Sequence, residues 1–259
     1  MLPALLLLAG LASPARAVPP PPERPTGPAA SVTDAEAPEP IRFLERYRPT
    51  YFLLGKPITK VQISFQIQVV RDVPVYFGYT QLMMWDLFKD SAPFRDINYN
   101  PELFYRFPFG VRAGFEHESN GKAGPDSRAW NRVSFRYGES RQRDGQTWWW
   151  WSLKASIPYG MGDEPSRQIP RYRGIWEAQI GLTDLFSDFF DVNEIFLRVY
   201  GGGRSKVNPL QGGQELTYRE KTTARKVLLP LYVQIFHGYG ENLLDADENR
   251  WGLRAGFGF

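Results

Sequence analysis

From about residue 41 onward, segments of roughly ten residues alternate between apolar and polar positions, and few folds accommodate this pattern. In residues 61–69, valine, isoleucine and phenylalanine occupy one face of a strand, and glutamine and serine occupy the other. Similar alternation recurs at residues 176–182, 195–200, 229–236 and 251–259. Counting such segments predicts about twelve strands, and an even number is typical of single-chain bacterial membrane barrels.

Composition excludes several other classes of protein. Aromatic residues make up 15% of the 259 residues and charged residues 23%. No apolar run of about eighteen residues follows the N-terminus, which argues against transmembrane helices. Cysteine is absent, so disulfides and thiolate sites are excluded, and two histidines are too few for a His-rich zinc site. A net charge of +3 without a basic run gives no argument for nucleic-acid binding.

The N-terminal 40 residues differ in character from the rest. Residues 1–17 predict a secretory signal, because a short leucine-rich core precedes a small-x-small cleavage pattern that ends at Ala17. The alternative is a mis-assigned start with an apolar tail. Residues 18–40 contain eight prolines, which predicts an extended, mobile leader. Residues 41–259 are then the barrel domain.

The stretch 115–132 contains a histidine, a hydroxyl and a carboxamide, which are the parts of a hydrolytic triad. With the period of a strand, His117 and Ser119 share the apolar face of Phe115, and Asn131 shares the apolar face of Val133. In a membrane barrel that face meets lipid, so the hydroxyl would lie directly against the bilayer. The alternative is that these are strand residues near a loop that meet lipid headgroups.

A soluble twelve-stranded sandwich or a lipocalin-like barrel is the competing fold. It would need partners for the apolar faces, and the chain has no helical segment to cover them. The sequence therefore predicts an all-β fold, a twelve-stranded antiparallel transmembrane β-barrel. Loops are predicted at residues 138–146, 160–173 and 201–213, on the extracellular side or, in one or two cases, on the periplasmic side.

The tryptophan run and Gln81 each allow two interpretations, whereas the second histidine allows one. The run of tryptophans at 148–151 predicts an aromatic girdle at the membrane interface, with a sugar-binding platform as the alternative. Gln81 continues an apolar face, where an unpartnered carboxamide is costly. It either bonds across a subunit interface or lies near the membrane surface and meets water. His237 is predicted to be interfacial, without a catalytic role.

Several motifs together resemble one known family. Residues 93–104 read PFRDINYNPELF, residues 117–132 contain HESNG and DSRAWNR, and residues 238–245 read GYGENLLD. With the YTQ at residues 79–81, this combination resembles the outer membrane phospholipase A family. The resemblance extends over roughly residues 47–259 and does not cover the leader.

The resemblance implies a calcium-dependent acyl hydrolase of the outer membrane that is active as a homodimer. Ser119 matches the nucleophile, His117 the general base and Asn131 the residue that orients the imidazole. Gly121 matches the position whose backbone N–H contributes to the oxyanion hole, and a calcium-bound water is the implied second donor. The implied Ca²⁺ ligands are the Ser127 hydroxyl and the Lys122 carbonyl of one subunit and Ser91 of the other. Gln81 matches the interface glutamine, which favours its interface interpretation.

The sequence is compatible with two functions, one of an enzyme and one of a non-enzymatic protein. The first is a phospholipase that hydrolyses acyl ester bonds of phospholipids, with A1, A2 and lysophospholipase activity. The second is a non-enzymatic outer-membrane barrel, either a channel or a structural protein. Charged side chains on the inner face favour the enzyme over a pore, because they can pair and plug a small barrel. These are Arg112, Glu116, Arg132, Arg136 and Lys154.

Overall fold

The computed structural model describes residues 44–143, 146–184, 193–220 and 230–258. The predicted signal, the predicted leader and the terminal Phe259 lie outside the described residues. Within these ranges no helix has both the length and the apolar character needed to cross a bilayer.

Antiparallel strands make up most of the described chain. Their bounds are β1 (Glu45–Arg46), β2 (Tyr51–Lys56), β3 (Thr59–Val70), β4 (Val73–Trp85), β5 (Phe94–Arg106), β6 (Arg112–Ser119), β7 (Ala129–Arg143), β8 (Gln146–Tyr159), β9 (Trp176–Thr183), β10 (Asn193–Tyr200), β11 (Gly213–Glu220), β12 (Leu231–Gly238) and β13 (Arg250–Gly258). Each strand from β2 to β13 pairs with its neighbours in the chain, and β2 also pairs with β13. These twelve strands therefore close into a barrel, and the predicted fold is confirmed.

The short strand β1 is not one of these twelve strands, and it pairs with the second half of β3. The residues that follow it send side chains into the barrel. Tyr47 donates a hydrogen bond to Glu102 at 2.7 Å and stacks on Phe104, and Arg48 forms an ion pair with the same carboxylate. This N-terminal segment therefore fills part of the lumen.

The two faces of the barrel have opposite character. Large apolar side chains are exposed on the outside, with Phe115 59%, Ile157 62% and Leu253 60% exposed. The inside is polar and buried, as a membrane barrel requires. Glu116 contacts Arg132 at 2.8 Å and Lys154 at 2.6 Å, so the predicted pairing of inward charges is confirmed for these three residues.

The other two inward arginines have different neighbours. Arg136 approaches Glu177 at 3.6 Å rather than Glu116. Arg112 lies opposite Arg136 in the strand register and faces the ring of Phe104. A cavity of about 220 Å³ remains in the lumen among these and other charged side chains.

The connections between strands differ at the two ends of the barrel. One end carries the short turns at residues 71–72 and 107–111 and also the connections 184–192 and 221–230. The other end carries the turn at residues 57–58 and five connections of eight to sixteen residues, and so has the longer connections on average. Helix α1 (Glu164–Arg173) lies in one of the longer connections, where the Asp163 side chain accepts a hydrogen bond from the Ser166 N–H and caps its first turn. Long loops are extracellular in such barrels, so this end faces outward from the cell.

Two local predictions are wrong. The segment 138–146 is not a loop, because β7 continues to Arg143 and β8 begins at Gln146. The tryptophan run does not form a single girdle, because alternation turns Trp150 into the lumen. There its Nε1–H donates to Glu194 at 2.8 Å and its ring contacts Phe196. A register shift opposite Arg141 adds one residue to β8, and Trp148 is 49% exposed.

Candidate active site

The paired strands β6 and β7 present the candidate triad on the outer face of the barrel. The register places His117 opposite Asn131 and Ser119 opposite Ala129. The intervening residues Glu116 and Glu118 are buried on the inside. Simple alternation along two strands thus brings a histidine and an asparagine together against the lipid-facing surface.

The imidazole of His117 has a defined partner. Its Nδ1 lies 2.8 Å from Asn131 Oδ1, and Asn131 Nδ2 donates to the Gly160 carbonyl at 3.2 Å. Because the amide nitrogen is engaged by Gly160, the amide oxygen faces the ring and accepts from Nδ1–H. This tautomer leaves Nε2 unprotonated, which is the state that a general base needs.

Ser119 is two residues further along the same face of β6, about 6.6 Å from His117 along the strand. It is half-buried. In the part of the chain that the structure describes, its hydroxyl makes no hydrogen bond. The hydrogen bond between Ser119 and His117 is therefore not formed in this structure, and proton transfer requires the two side chains to come closer together.

The turn after Ser119 is shaped by one buried asparagine. Asn120 Oδ1 accepts from the backbone N–H of Lys122 at 3.3 Å and of Arg128 at 2.9 Å, and its Nδ2 donates to the Asp126 carbonyl at 2.9 Å. Gly121 has a φ of 65°, a left-handed conformation that favours glycine. A Cβ there would lie 3.1 Å from the ring of Tyr99. The turn therefore leaves little freedom at the position next to the nucleophile.

The predicted calcium ligands are divided between two loops. Lys122 and Ser127 lie on the same turn, where Lys122 Nζ donates to the Arg95 carbonyl at 2.7 Å. Ser91 lies on the separate connection between β4 and β5 and has a φ of 62°. Among the described residues, no group of three or more His, Cys, Asp or Glu side chains is arranged to hold a metal. Carbonyl and hydroxyl oxygens suit Ca²⁺, but one chain supplies fewer of them here than the six to eight that the ion usually takes.

Gln81 lies on the same row of the sheet as the candidate nucleophile. The register pairs Gln81 with Tyr99, and Tyr99 with Ser119. Two strand spacings separate Gln81 from Ser119, or about 10 Å. Gln81 Oε1 accepts a hydrogen bond from the Tyr79 hydroxyl at 2.8 Å within the same chain.

Three residues near the site escaped the sequence reasoning. Tyr99 and Tyr159 flank Ser119 and Asn131 on the neighbouring strands, and the Gly160 carbonyl holds the Asn131 amide. Tyr99 is part of the 93–104 motif, but its place beside Ser119 depends on strand register. The second histidine, His237, donates from Nδ1 to Gln214 Oε1 at 3.2 Å and its ring lies against Trp251, on other strands. That it has no catalytic role stays a prediction.

The inner side of the same strands is densely packed. Trp130 is 2% exposed and packs with Ile169 of α1 and Leu243 of the β12–β13 connection. Its Nε1–H donates to Glu118 at 3.1 Å, and Arg132 contacts that carboxylate at 2.9 Å. The outward residues are thus carried by a part of the sheet that is anchored from within.

Comparison with known proteins identifies relatives of the whole barrel. A family model described as phospholipase A1 matches residues 55–259. Phospholipase A1 of Salmonella typhimurium is 32% identical over 194 residues, covering 70% of this chain and 60% of that protein. A putative phospholipase A1 of Neisseria meningitidis serogroup B is 30% identical over 228 residues, covering 78% and 54%. The chain thus spans little more than half the length of these relatives.

Two solved structures share the fold. Outer membrane phospholipase A from Escherichia coli superposes with a TM-score of 0.68 at 25% identity, covering 83% of this chain and 98% of that one. The outer membrane phospholipase dimer of Salmonella typhi with bound calcium has a TM-score of 0.67 at 25% identity, covering 83% and 91%.

Proposed function

We propose, from the premise that the chain belongs to the phospholipase A1 family, that it hydrolyses acyl ester bonds of phospholipids in the bacterial outer membrane. The observation that carries the proposal is the 2.8 Å contact between His117 and Asn131 on the lipid-facing surface, with Ser119 on the same face. A polar cluster of this kind is costly against hydrocarbon, and polar groups at such positions usually mark a functional site.

The proposed reaction begins with Ser119. Its Oγ attacks the ester carbonyl carbon while His117 Nε2 takes the hydroxyl proton. The same imidazole then gives that proton to the leaving alcohol, which departs as a lysophospholipid and leaves an acyl-serine. Water repeats the sequence and releases the fatty acid. Asn131 holds the ring in the required tautomer, although a neutral amide stabilises the imidazolium less than a carboxylate does.

The turn after Ser119 supplies the site for developing negative charge. The Gly121 N–H is the proposed donor to the oxyanion. Ca²⁺ would be held by the Lys122 carbonyl and the Ser127 hydroxyl, together with Ser91 of the partner subunit. When bound, the ion supplies positive charge near the carbonyl oxygen. The neutral oxygen donors fit this ion, and the related Salmonella typhi structure contains calcium.

A homodimer is the proposed assembly, and the position of the site supports it. The outward hydroxyl lies on an open lipid-facing surface, so a second barrel beside β4, β5 and β6 would wall a cleft for acyl chains. Gln81 lies on the row of Ser119 and is the proposed contact across that interface. The Salmonella typhi relative is itself a dimer.

Fatty-acid release from mixed phospholipid micelles tests the proposal. The wild type should release fatty acid with calcium and stop with a chelator, and Ser119→Ala should release none. Ser134→Ala is the matched control, because it makes the same change on the inner face of β7, where Ser134 is buried. Equal release from the wild type and Ser119→Ala, or no release by the wild type with calcium, would favour the non-enzymatic barrel.

A further inference from the structure

One buried carboxylate in the barrel differs from the others in its partners. Glu116, Glu215 and Glu241 each contact a lysine or arginine. Asp96 is 1% exposed, yet within the described ranges it contacts no cation and accepts hydrogen bonds only from uncharged N–H groups. A buried carboxyl group without a counter-charge depends on its hydrogen bonds to offset the loss of water, so the placement of its donors matters.

The donors to Asp96 come from three separate segments. Asn98 of β5 donates at 2.5 Å, and the Leu244 N–H of the β12–β13 connection donates at 3.0 Å. The third donor is Asn120 Nδ2 at 3.2 Å, from the turn after the candidate nucleophile. Asn98 Oδ1 in turn accepts from the Leu243 N–H at 3.0 Å. Asp96 thus joins the β12–β13 connection to the turn after Ser119 through the interior of the barrel.

The link to the oxyanion donor runs through Asn120. Its Oδ1 accepts from the Lys122 and Arg128 backbones, so rotation of this amide would release both ends of the turn that contains Gly121. Asp96 accepts from the Asn120 Nδ2, which also donates to the Asp126 carbonyl at 2.9 Å, and together these two acceptors keep the amide oxygen aimed at those two N–H groups.

We propose that Asp96 is a positioning residue, which acts from the lumen side through Asn120 to hold the turn carrying the oxyanion donor next to Ser119. Its effect on catalysis rests on the proposed function, whereas its effect on the turn does not. The β12–β13 connection is then part of the support for the active site, although it lies more than one hundred residues away in the chain.

Exchanging the side chains of Asp96 and Asn120 separates an effect on the turn from an effect on the stability of the whole barrel. Asp96→Asn turns an amide nitrogen towards the Asn120 amide nitrogen, so that two donors face each other. Asn120→Asp sets two carboxylates against each other. In the double variant one acceptor again meets one donor between positions 96 and 120. The aspartate at position 120 still accepts from the Lys122 and Arg128 N–H groups, but it no longer donates to the Asp126 carbonyl. Residues in direct contact should show such coupling in a double-mutant cycle.

The experiment measures backbone hydrogen exchange over residues 120–128 and, in the same samples, phospholipid hydrolysis. Each single variant should lose protection in this turn and lose about 100-fold in kcat with little change in KM, as expected for a misplaced group. The double variant should regain part of both, because it restores the contact with position 96 but not the hydrogen bond to the Asp126 carbonyl. Glu215→Gln is the matched control, because it neutralises another buried lumen carboxylate and should leave the turn and kcat unchanged.

Several outcomes would overturn the proposal. These are unchanged protection and kcat in Asp96→Asn, a double variant no better than the singles, or an equal loss in Glu215→Gln. If Asp96→Asn does not refold, the double variant and Asn98→Ala, which removes another donor to Asp96, carry the test. If the wild type hydrolyses no phospholipid, the proposed function fails, while the exchange data still decide whether Asp96 holds the turn.

Discussion

The inner and outer faces of the β6–β7 pair are built from alternate residues of the same strands and differ in almost every physical respect. On the inner face, Glu116, Glu118 and Arg132 form a buried network of ion pairs. On the outer face, His117 and Asn131 share one hydrogen bond. Strand alternation can therefore separate stability from reactivity, because substituting a side chain on one face of the sheet need not disturb the side chains on the other.

The largest expected effect is a loss of hydrolytic activity when a side chain of the outer face is removed. His117→Ala removes the general base and should lower hydrolysis by about 10⁶-fold, as loss of a triad member does in other serine hydrolases. The unfolding midpoint in micelles should stay at the wild-type value, because the side chain is exposed. His237→Ala is the control and should keep activity. If His237→Ala proved as inactive as His117→Ala, the assignment of the base would be wrong.

The next largest expected effect is a loss of stability when a charged side chain of the inner face is replaced. Arg132→Met leaves Glu116 and Glu118 without this guanidinium, and the free energy of unfolding should fall by about 3–5 kcal/mol, as for other broken buried pairs. Denaturant unfolding in micelles measures the change. Arg167→Met removes an exposed contact with Glu164 on α1 and should cost roughly 0.5 kcal/mol or less. Similar losses in the two variants would contradict the contrast between the faces.

Asn131 sharpens the comparison within the outer face. Asn131→Ala should lower kcat by about 100-fold, because the imidazole loses the acceptor that sets its tautomer. Asn131→Asp restores an acceptor for Nδ1–H and should retain more activity than the alanine variant. Steady-state rates on mixed micelles measure both. An alanine variant as active as the wild type would mean that the 2.8 Å contact does not serve the reaction.

The smallest expected effect concerns pH and a carboxylate of the β12–β13 connection. Burial raises the pKa of Asp245, but hydrogen bonds from Arg95 and the charge of Arg250 outweigh it and hold the pKa below its usual range. A lowered folded-state pKa contributes stability above the unfolded value of about 3.9, and this is lost as pH falls through the folded value. Asp245→Asn should therefore be less stable than the wild type at pH 7, by roughly 1–2 kcal/mol. Unfolding measured from pH 7 downward should show the difference shrinking below about pH 4.

Much of the fold could be predicted from the sequence because a period of two determines which face each side chain takes. The outward position of His117 and the inward position of Glu116 both follow from it. The inward position of Trp150 was missed because the four tryptophans were assigned to one location as a group, although Trp150 lies four residues before the inward Lys154 and so shares its face. The end of β7 at Arg143 was missed because charged residues resemble a loop where a strand leaves the membrane.

The contacts around the site were harder to predict, since they join residues far apart in the chain. Tyr99 meets Ser119 only through the register of β5 and β6. The contact between Leu244 and Asp96 spans 148 positions. Periodicity within a segment contains no information about which segments meet, so the role proposed for Asp96 required the closed barrel.

The most direct test of the central claim is covalent labelling of the hydroxyl that faces the bilayer. An alkyl fluorophosphonate, added to the protein in micelles with calcium, should react at a single serine, which peptide mass spectrometry locates. We expect an adduct on Ser119 that His117→Ala abolishes and His237→Ala does not. Fatty-acid release with Ser119 unlabelled and the adduct on another residue would contradict it.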